Sequence, residues 1–232
     1  MKEEVEVKNT SKETIYKISE SKTHILFVIP PTIPYQDLQE PNSNESFGYI
    51  ISSIPMGSLS LAGYTMKHAG AEVSILDMNT YVREEMKPGM NWNSFLEKRI
   101  RDTVGEKKVD IVGISAIFNV NAGYMPSISD IAKKFWPEVI VVAGGGLPSN
   151  LPSELFTMAP SIDAICYGEG EKPLVDLVQA QDKLVHLKET KSWITREDLK
   201  EKKRPVMNFV QELDDIPFMK YDLINFNKYK NL

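Results

Sequence analysis

The sequence predicts an α/β fold in which five parallel strands form one doubly wound sheet. Three observations carry this. Short, largely apolar runs recur along the chain, as in strands covered on both faces. Stretches with apolar residues at helical spacing lie between them. Alternating strands and helices make a parallel sheet, and right-handed crossovers then wind it in both directions.

His24-Ile25-Leu26-Phe27-Val28-Ile29 is the first strand, stopped by Pro30-Pro31. A long polar segment from Thr32 to Ile54 follows, with Pro34, Pro41 and Gly48. Pro55 starts a helix that runs through His68, with Leu59, Ala62, Gly63 and Met66 on one face and Gly70 at its end. Val73 to Asp77 is the second strand. Leu96, Ile100 and Val104 mark the second helix by their spacing. Val109 to Ala116 is the third strand, and Ile128, Ile131, Ala132 and Phe135 mark the next helix. Val139 to Ala143 is the fourth strand and ends in Gly144-Gly145-Gly146. A short helix over Ser153 to Met158 leads to the fifth strand, Ile162 to Tyr167, and Leu174, Leu177 and Val178 mark the helix after it. The expected strand order is the flavodoxin-like 2-1-3-4-5. Residues 1–22 are polar and read as an extension; residues 23–182 form the domain; residues 183–232 form a small C-terminal extension. In that extension Trp193 to Thr195 and Pro205 to Val210 are expected to pair as a hairpin, and Asp214 to Leu223 reads as linker.

Bulk properties exclude several function classes. With 232 residues, 42% hydrophobic and 25% charged, the chain can bury a core without staples. Its net charge of −5 and dispersed lysines and arginines point away from nucleic acid and anionic membranes. No apolar run approaches the roughly 20 residues that span a bilayer, so no membrane partner is expected. Cys166 is the one cysteine, which excludes an internal disulfide and any zinc or iron–sulfur site built from cysteines of this chain. A reducing, cytoplasmic setting is expected.

In a doubly wound sheet, ligands bind outside the C-terminal strand ends, where strand order switches. The loops that meet there hold the candidate ligand-binding residues Pro31, Thr32, Ser115, Ala116, Phe118, Asn119, Gly144, Gly145, Gly146, Leu147, Pro148, Tyr167, Gly168, Glu169 and Gly170. A tight turn would need one or two of Gly144 to Gly146; three in a row after a buried strand favour close approach of a ligand to bare backbone. Ser115 to Asn119 suits a ligand edge, but taken alone it reads better as an ordinary strand end with an asparagine cap. Glu169 and Glu171 suit a helix N-terminus and argue against a strongly anionic ligand on that loop. No GxGxxG turn follows the first strand, so Asp77 is a weak sign of dinucleotide binding. No phosphoacceptor acid cluster, P-loop, G-x-S-x-G or H-E-x-x-H occurs, and the three histidines, His24, His68 and His186, read as surface or capping residues.

Several stretches together carry a resemblance: Pro55 to Tyr64, His68 to Val73, Leu76-Asp77, Asp110 to Ser115, Val142 to Gly145, Tyr167 to Glu171 and the exit Leu213-Asp214-Asp215-Ile216-Pro217-Phe218. In order and spacing they resemble the N-terminal half of cobalamin-binding (class B type) radical SAM proteins, from about Thr23 onward. The resemblance implies a Rossmann-like domain that holds cobalamin. It also implies a following radical SAM barrel as partner, carrying a CxxxCxxC motif for a [4Fe–4S] cluster and binding S-adenosylmethionine. Such enzymes commonly methylate unactivated carbon or phosphorus, and related members cyclise or rearrange precursors. This sequence has no CxxxCxxC, so the cluster and S-adenosylmethionine belong to a barrel outside it. A DxHxxG motif, which in other cobalamin domains supplies a histidine to cobalt, is absent here and in the family resembled. No histidine stands at the ligand edge, and the cofactor's own benzimidazole would be displaced with a tail buried in the protein, so the cofactor is expected base-off and His-off. Two other readings stay open. One is a degenerate α/β domain that supports the barrel or docks substrate without cobalamin. The other is an independent flavodoxin-like or nucleotide-binding protein.

Overall fold

The computed structural model describes residues 22–39, 50, 52–87 and 89–229. The expected N-terminal extension, apart from Lys22, and residues 40–49 and 51 of the long polar segment lie outside the described residues.

The chain runs β1 (His24–Ile29), α1 (Tyr35–Gln39), α2 (Met56–Ala69), β2 (Glu72–Asp77), α3 (Met78–Glu85), α4 (Trp92–Val104) and β3 (Ile111–Ser115). It continues through α5 (Met125–Phe135), β4 (Ile140–Gly144), α6 (Gly146–Asn150), α7 (Pro152–Met158), β5 (Ala164–Cys166), α8 (Glu171–Gln179), α9 (Lys183–Glu189), β6 (Trp193–Ile194) and α10 (Arg196–Lys200). The sheet order is β2-β1-β3-β4-β5-β6, with the first five strands parallel. The doubly wound, Rossmann-like fold and its 2-1-3-4-5 core are therefore as the sequence predicts.

Strand alternation assigns the two faces. Ile25, Phe27, Ile111 and Val142 face one side and pack with Ala62 of α2 and Leu174 and Leu177 of α8. Leu26, Val28, Val112, Ile114 and Val141 face the other and pack with Leu96 and Ile100 of α4 and Ile128 and Ala132 of α5. Gly70 ends α2 in a left-handed conformation, φ 65°, as a C-terminal glycine should. Helix α3 was not expected, because Met78-Asn79-Thr80-Tyr81-Val82-Arg83-Glu84-Glu85 carries little apolar periodicity. It starts where the Asp77 side chain accepts from the Asn79 N–H.

The C-terminal extension differs from its reading as a hairpin. Trp193–Ile194 pairs antiparallel with β5, Ile165 opposite Ile194 and Cys166 opposite Trp193. This closes the sheet edge that β5 would otherwise leave open. Residues 205–210 run beside it as irregular chain: the Val206 N–H bonds the Lys191 carbonyl, and Val210 is buried against Tyr64 and Val175. The tail then crosses α2. Lys67 Nζ and His68 Nε2 meet the Asp215 carbonyl at 2.9 and 3.2 Å, and Pro217 and the Phe218 carbonyl abut Gly63. It ends with Leu223 packed beside Ile75 and Tyr229 buried against β2. Among the described residues no helix is long and apolar enough to cross a membrane.

Candidate functional site

The strand order switches at β1, where α2 leaves on one face and α4 and α5 cover the other. Two cavities open there along the C-terminal strand ends. The larger, about 450 Å³, lies over the ends of β1 and β3 and is lined by Ile29, Pro30, Thr32, residues 53–58, Asn79, Ser115, Ile117, Phe118 and Asn121. The narrower, about 230 Å³, passes between the sheet and helices α2 and α8 and reaches mid-strand residues Phe27, Gly113 and Val142. Gly57, Ser115 and Ile117 line both, so the two form one groove.

Bare backbone forms much of the narrow wall. A side chain at Gly57 would meet open space, and one at Gly144 would meet only the Cys166 Cβ, at 3.8 Å. Gly145 answers to the fold itself: its φ is 102° and a Cβ there would collide with the Ala116 carbonyl oxygen. Gly168, φ 81°, is overlain by Met207 of the tail, whose Cγ lies 2.5 Å from where a Cβ would stand. So the triple glycine serves both purposes the sequence allowed, with Gly145 making the turn and Gly144 leaving the space.

The groove is apolar and nearly uncharged. Among its described lining residues none is Lys, Arg or His. Glu171 is the one carboxylate, and its Oε1 accepts from Ser60 Oγ at 2.8 Å across α2 and α8. Burial pushes the Cys166 thiol up to about 12, and Cys166 lies 6% exposed in the narrow wall. Among the described residues, three buried polar atoms in or beside the groove lack a hydrogen-bond partner: Ser52 Oγ, Ser58 Oγ and Trp193 Nε1. Ser58 lines the larger cavity and Trp193 the narrower, so each leaves a polar group for a ligand to satisfy. Helix α2 begins at the shared wall without a side-chain cap; the Met56 N–H donates to the Ile54 carbonyl at 2.8 Å, which leaves the N–H groups of Gly57 and Ser58 for the groove.

The residues expected at the ligand edge divide. Thr32, Ser115, Phe118, Gly144, Gly145, Gly168 and Gly170 line the groove. Pro31 is buried beneath it, its carbonyl accepting from Asn121 Nδ2 at 2.8 Å. Ala116, Leu147 and Pro148 are buried without lining it, and Gly146 begins α6. Asn119 is exposed on the 3-10 turn after β3, Tyr167 packs toward the α4/α5 core and Glu169 is exposed. The sequence reading missed Phe27, Gly57, Leu61 and Trp193. The Pro55-Met56-Gly57-Ser58 start of α2 was a usable signal, since α2 alone comes off β1 at the switch point. Trp193 gave none, because its place depends on β6 pairing with β5.

The B12-binding domain model matches residues 52–178, more than half of the chain. The chain belongs to the B12-binding domain family. The chain is also similar to three named proteins. An uncharacterized methyltransferase of Pyrococcus horikoshii is 36% identical over 122 residues, 52% of this chain and 26% of that protein. The anaerobic magnesium-protoporphyrin IX monomethyl ester cyclase of Rubrivivax gelatinosus is 32% identical over 123 residues, 53% of this chain and 20% of that protein. The cytidylyl-2-hydroxyethylphosphonate methyltransferase of Streptomyces wedmorensis is 27% identical over 201 residues, 75% of this chain and 37% of that protein. The chain thus spans between a fifth and two fifths of these relatives' lengths. The B12-binding domain covers α2, the ends of β3 to β5 and most of α8, so it contains most of the groove. The residues fit cobalamin: a long groove, open backbone at Gly57 and Gly144, unsatisfied buried polar groups, and few charges.

Proposed function

We propose that this domain holds cobalamin along the groove as a module of a methyltransferase-type radical SAM enzyme. The observation that carries it is the continuous groove through Gly57, Ser115 and Ile117, walled by bare backbone at Gly144, in a chain of the B12-binding family. The narrow part suits the nucleotide tail, beside Ser115, Gly144 and Gly57, and the wider part suits the macrocycle, beside Thr32, Phe118 and Asn121. Ser58 Oγ and Trp193 Nε1 supply hydrogen bonds to it, and the uncapped start of α2 meets the tail phosphate without a fixed cation. Bound cobalamin supplies a carrier for the methyl group.

No imidazole is near enough to serve as an axial ligand. His24 sits at the start of β1, bonded to the Lys108 carbonyl and Ser74 Oγ at 3.1 and 2.9 Å, a strand length of about 20 Å from Pro30 at the wide part of the groove. His68 contacts the Asp215 carbonyl at the far end of α2, and His186 lies on α9 rather than in a polar tail. A nucleotide tail seated in the narrow part would draw its benzimidazole away from cobalt, and no histidine stands near to replace it, so the reading is of a base-off, His-off cofactor. Similarity to two methyltransferases and a cyclase supports the wider role, in which a [4Fe–4S] cluster and S-adenosylmethionine reside in a partner barrel.

Equilibrium dialysis against hydroxocobalamin, flavin mononucleotide and NAD tests the ligand class. One equivalent of hydroxocobalamin should be retained, and neither of the more anionic competitors, since no described residue lining the groove is basic. Electron paramagnetic resonance of the reduced cob(II)alamin form should show no superhyperfine splitting from an axial nitrogen. Retention of flavin without cobalamin would overturn the reading, and nitrogen splitting would overturn the His-off state.

A further inference from the structure

The larger cavity is bounded by the loop that follows β1, and a chain of buried polar contacts joins that loop to the far end of the molecule. The Thr32 N–H and Oγ1 both donate to Asn79 Oδ1, at 2.8 and 2.9 Å. Asn79 Nδ2 donates to Asp77 Oδ1 at 2.9 Å and to the Pro30 carbonyl at 3.2 Å. Asp77 Oδ2 accepts from the Tyr229 hydroxyl at 2.9 Å. Asp77 and Asn79 are both 4% exposed and Tyr229 6%, so these groups exchange little with water.

The chemistry of each group fixes its neighbour. A carboxylate only accepts, so Asp77 turns the Asn79 amide N–H toward itself and leaves Oδ1 for Thr32. Its other oxygen is held by a residue of the tail. That tail end is anchored by three further contacts: Arg83 donates to the Lys228 carbonyl, Lys228 Nζ meets Glu84 at 3.1 Å, and the same ammonium lies 3.6 Å from the Tyr81 ring centroid. Removing the Tyr229 hydroxyl would leave a buried carboxylate oxygen short of a donor, a cost that a shift of Asp77 toward another donor would relieve. Asn79 and Thr32 would move with it.

We infer that Asp77 and Tyr229 are positioning residues for the groove: docking of the tail on β2 orders the loop at Thr32, and tail docking and cobalamin binding therefore favour each other. The inference rests on the cobalamin reading only for its second half. Reciprocity follows by linkage, so ligand must strengthen docking by the factor by which docking strengthens ligand binding.

Amide hydrogen exchange of the full chain tests both halves. Without ligand, Tyr229→Phe should speed exchange at the Thr32 amide about fivefold or more, while Val141 to Ala143 in β4 stay unchanged. Val210→Ala, which loosens the tail over Tyr64 and Val175, should leave Thr32 unchanged. Hydroxocobalamin should slow exchange over residues 221–229 of the wild type, and Tyr229→Phe should weaken its binding by a matching factor. Unchanged Thr32 exchange in folded Tyr229→Phe overturns the inference, as does ligand that binds without protecting the tail. If wild type binds no hydroxocobalamin, the cofactor reading fails, and the ligand-free Thr32 comparison still decides whether the tail orders the loop.

Discussion

Two adjacent glycines separate fold from site at the level of single residues. Gly145 makes a turn that no other residue makes there without strain, so Gly145→Leu should unfold or rearrange the loop. Gly144 has ordinary backbone and space before it, so Gly144→Leu should fill the narrow cavity and leave the melting temperature nearly unchanged. Thermal melts of the two variants check this; similar losses from both would refute the distinction. The sequence showed that the triple glycine mattered but not which glycine did what, because the close approach of Ala116 comes from the neighbouring strand end. Cys166 makes a second test. Burial raises its thiol from 9.0 to about 12, so the neutral form's contribution to stability is complete below about pH 9 and is lost as pH rises toward 12. At pH 8 iodoacetamide should label the folded chain at least about a hundredfold more slowly than the denatured chain. Equal rates would mean the narrow wall is open.

Among the elements, those set by local pattern were legible and those set by partners were not. β1, α2, α4 and α5 follow from apolar runs and helical spacing, and Gly70 marks the end of α2. Helix α3 is held by the Asp77 cap and by burial of Met78 and Val82 under the sheet, which its polar sequence does not announce. β6 exists only because β5 has a free edge. The tail's path over α2 depends on Gly63, where a Cβ would stand 3.3 Å from Pro217 and 3.4 Å from the Phe218 carbonyl. Gly63→Leu should therefore push the tail from α2, cost about 1–3 kcal/mol, and raise amide exchange over residues 215–220. Urea unfolding and exchange together check it; full stability with unchanged exchange would show that the tail does not pack there.

For the whole molecule, the strand order puts the ends of β1, β3, β4 and β5 beside the start of α2, and that juxtaposition is the groove. The sheet and its ligand edge were readable because parallel strands and right-handed crossovers leave few topologies. Other parts of the site were not, because Phe27, Leu61 and Trp193 face the groove only once α2, α8 and β6 are packed. The measurement that bears most directly on the groove as a cobalamin site is gel filtration after incubation with hydroxocobalamin, run on wild type and Gly144→Leu side by side. Cobalamin should co-elute with the wild type at one equivalent and be lost from the folded variant. Cobalamin absent from both, or equally retained by both, would contradict it.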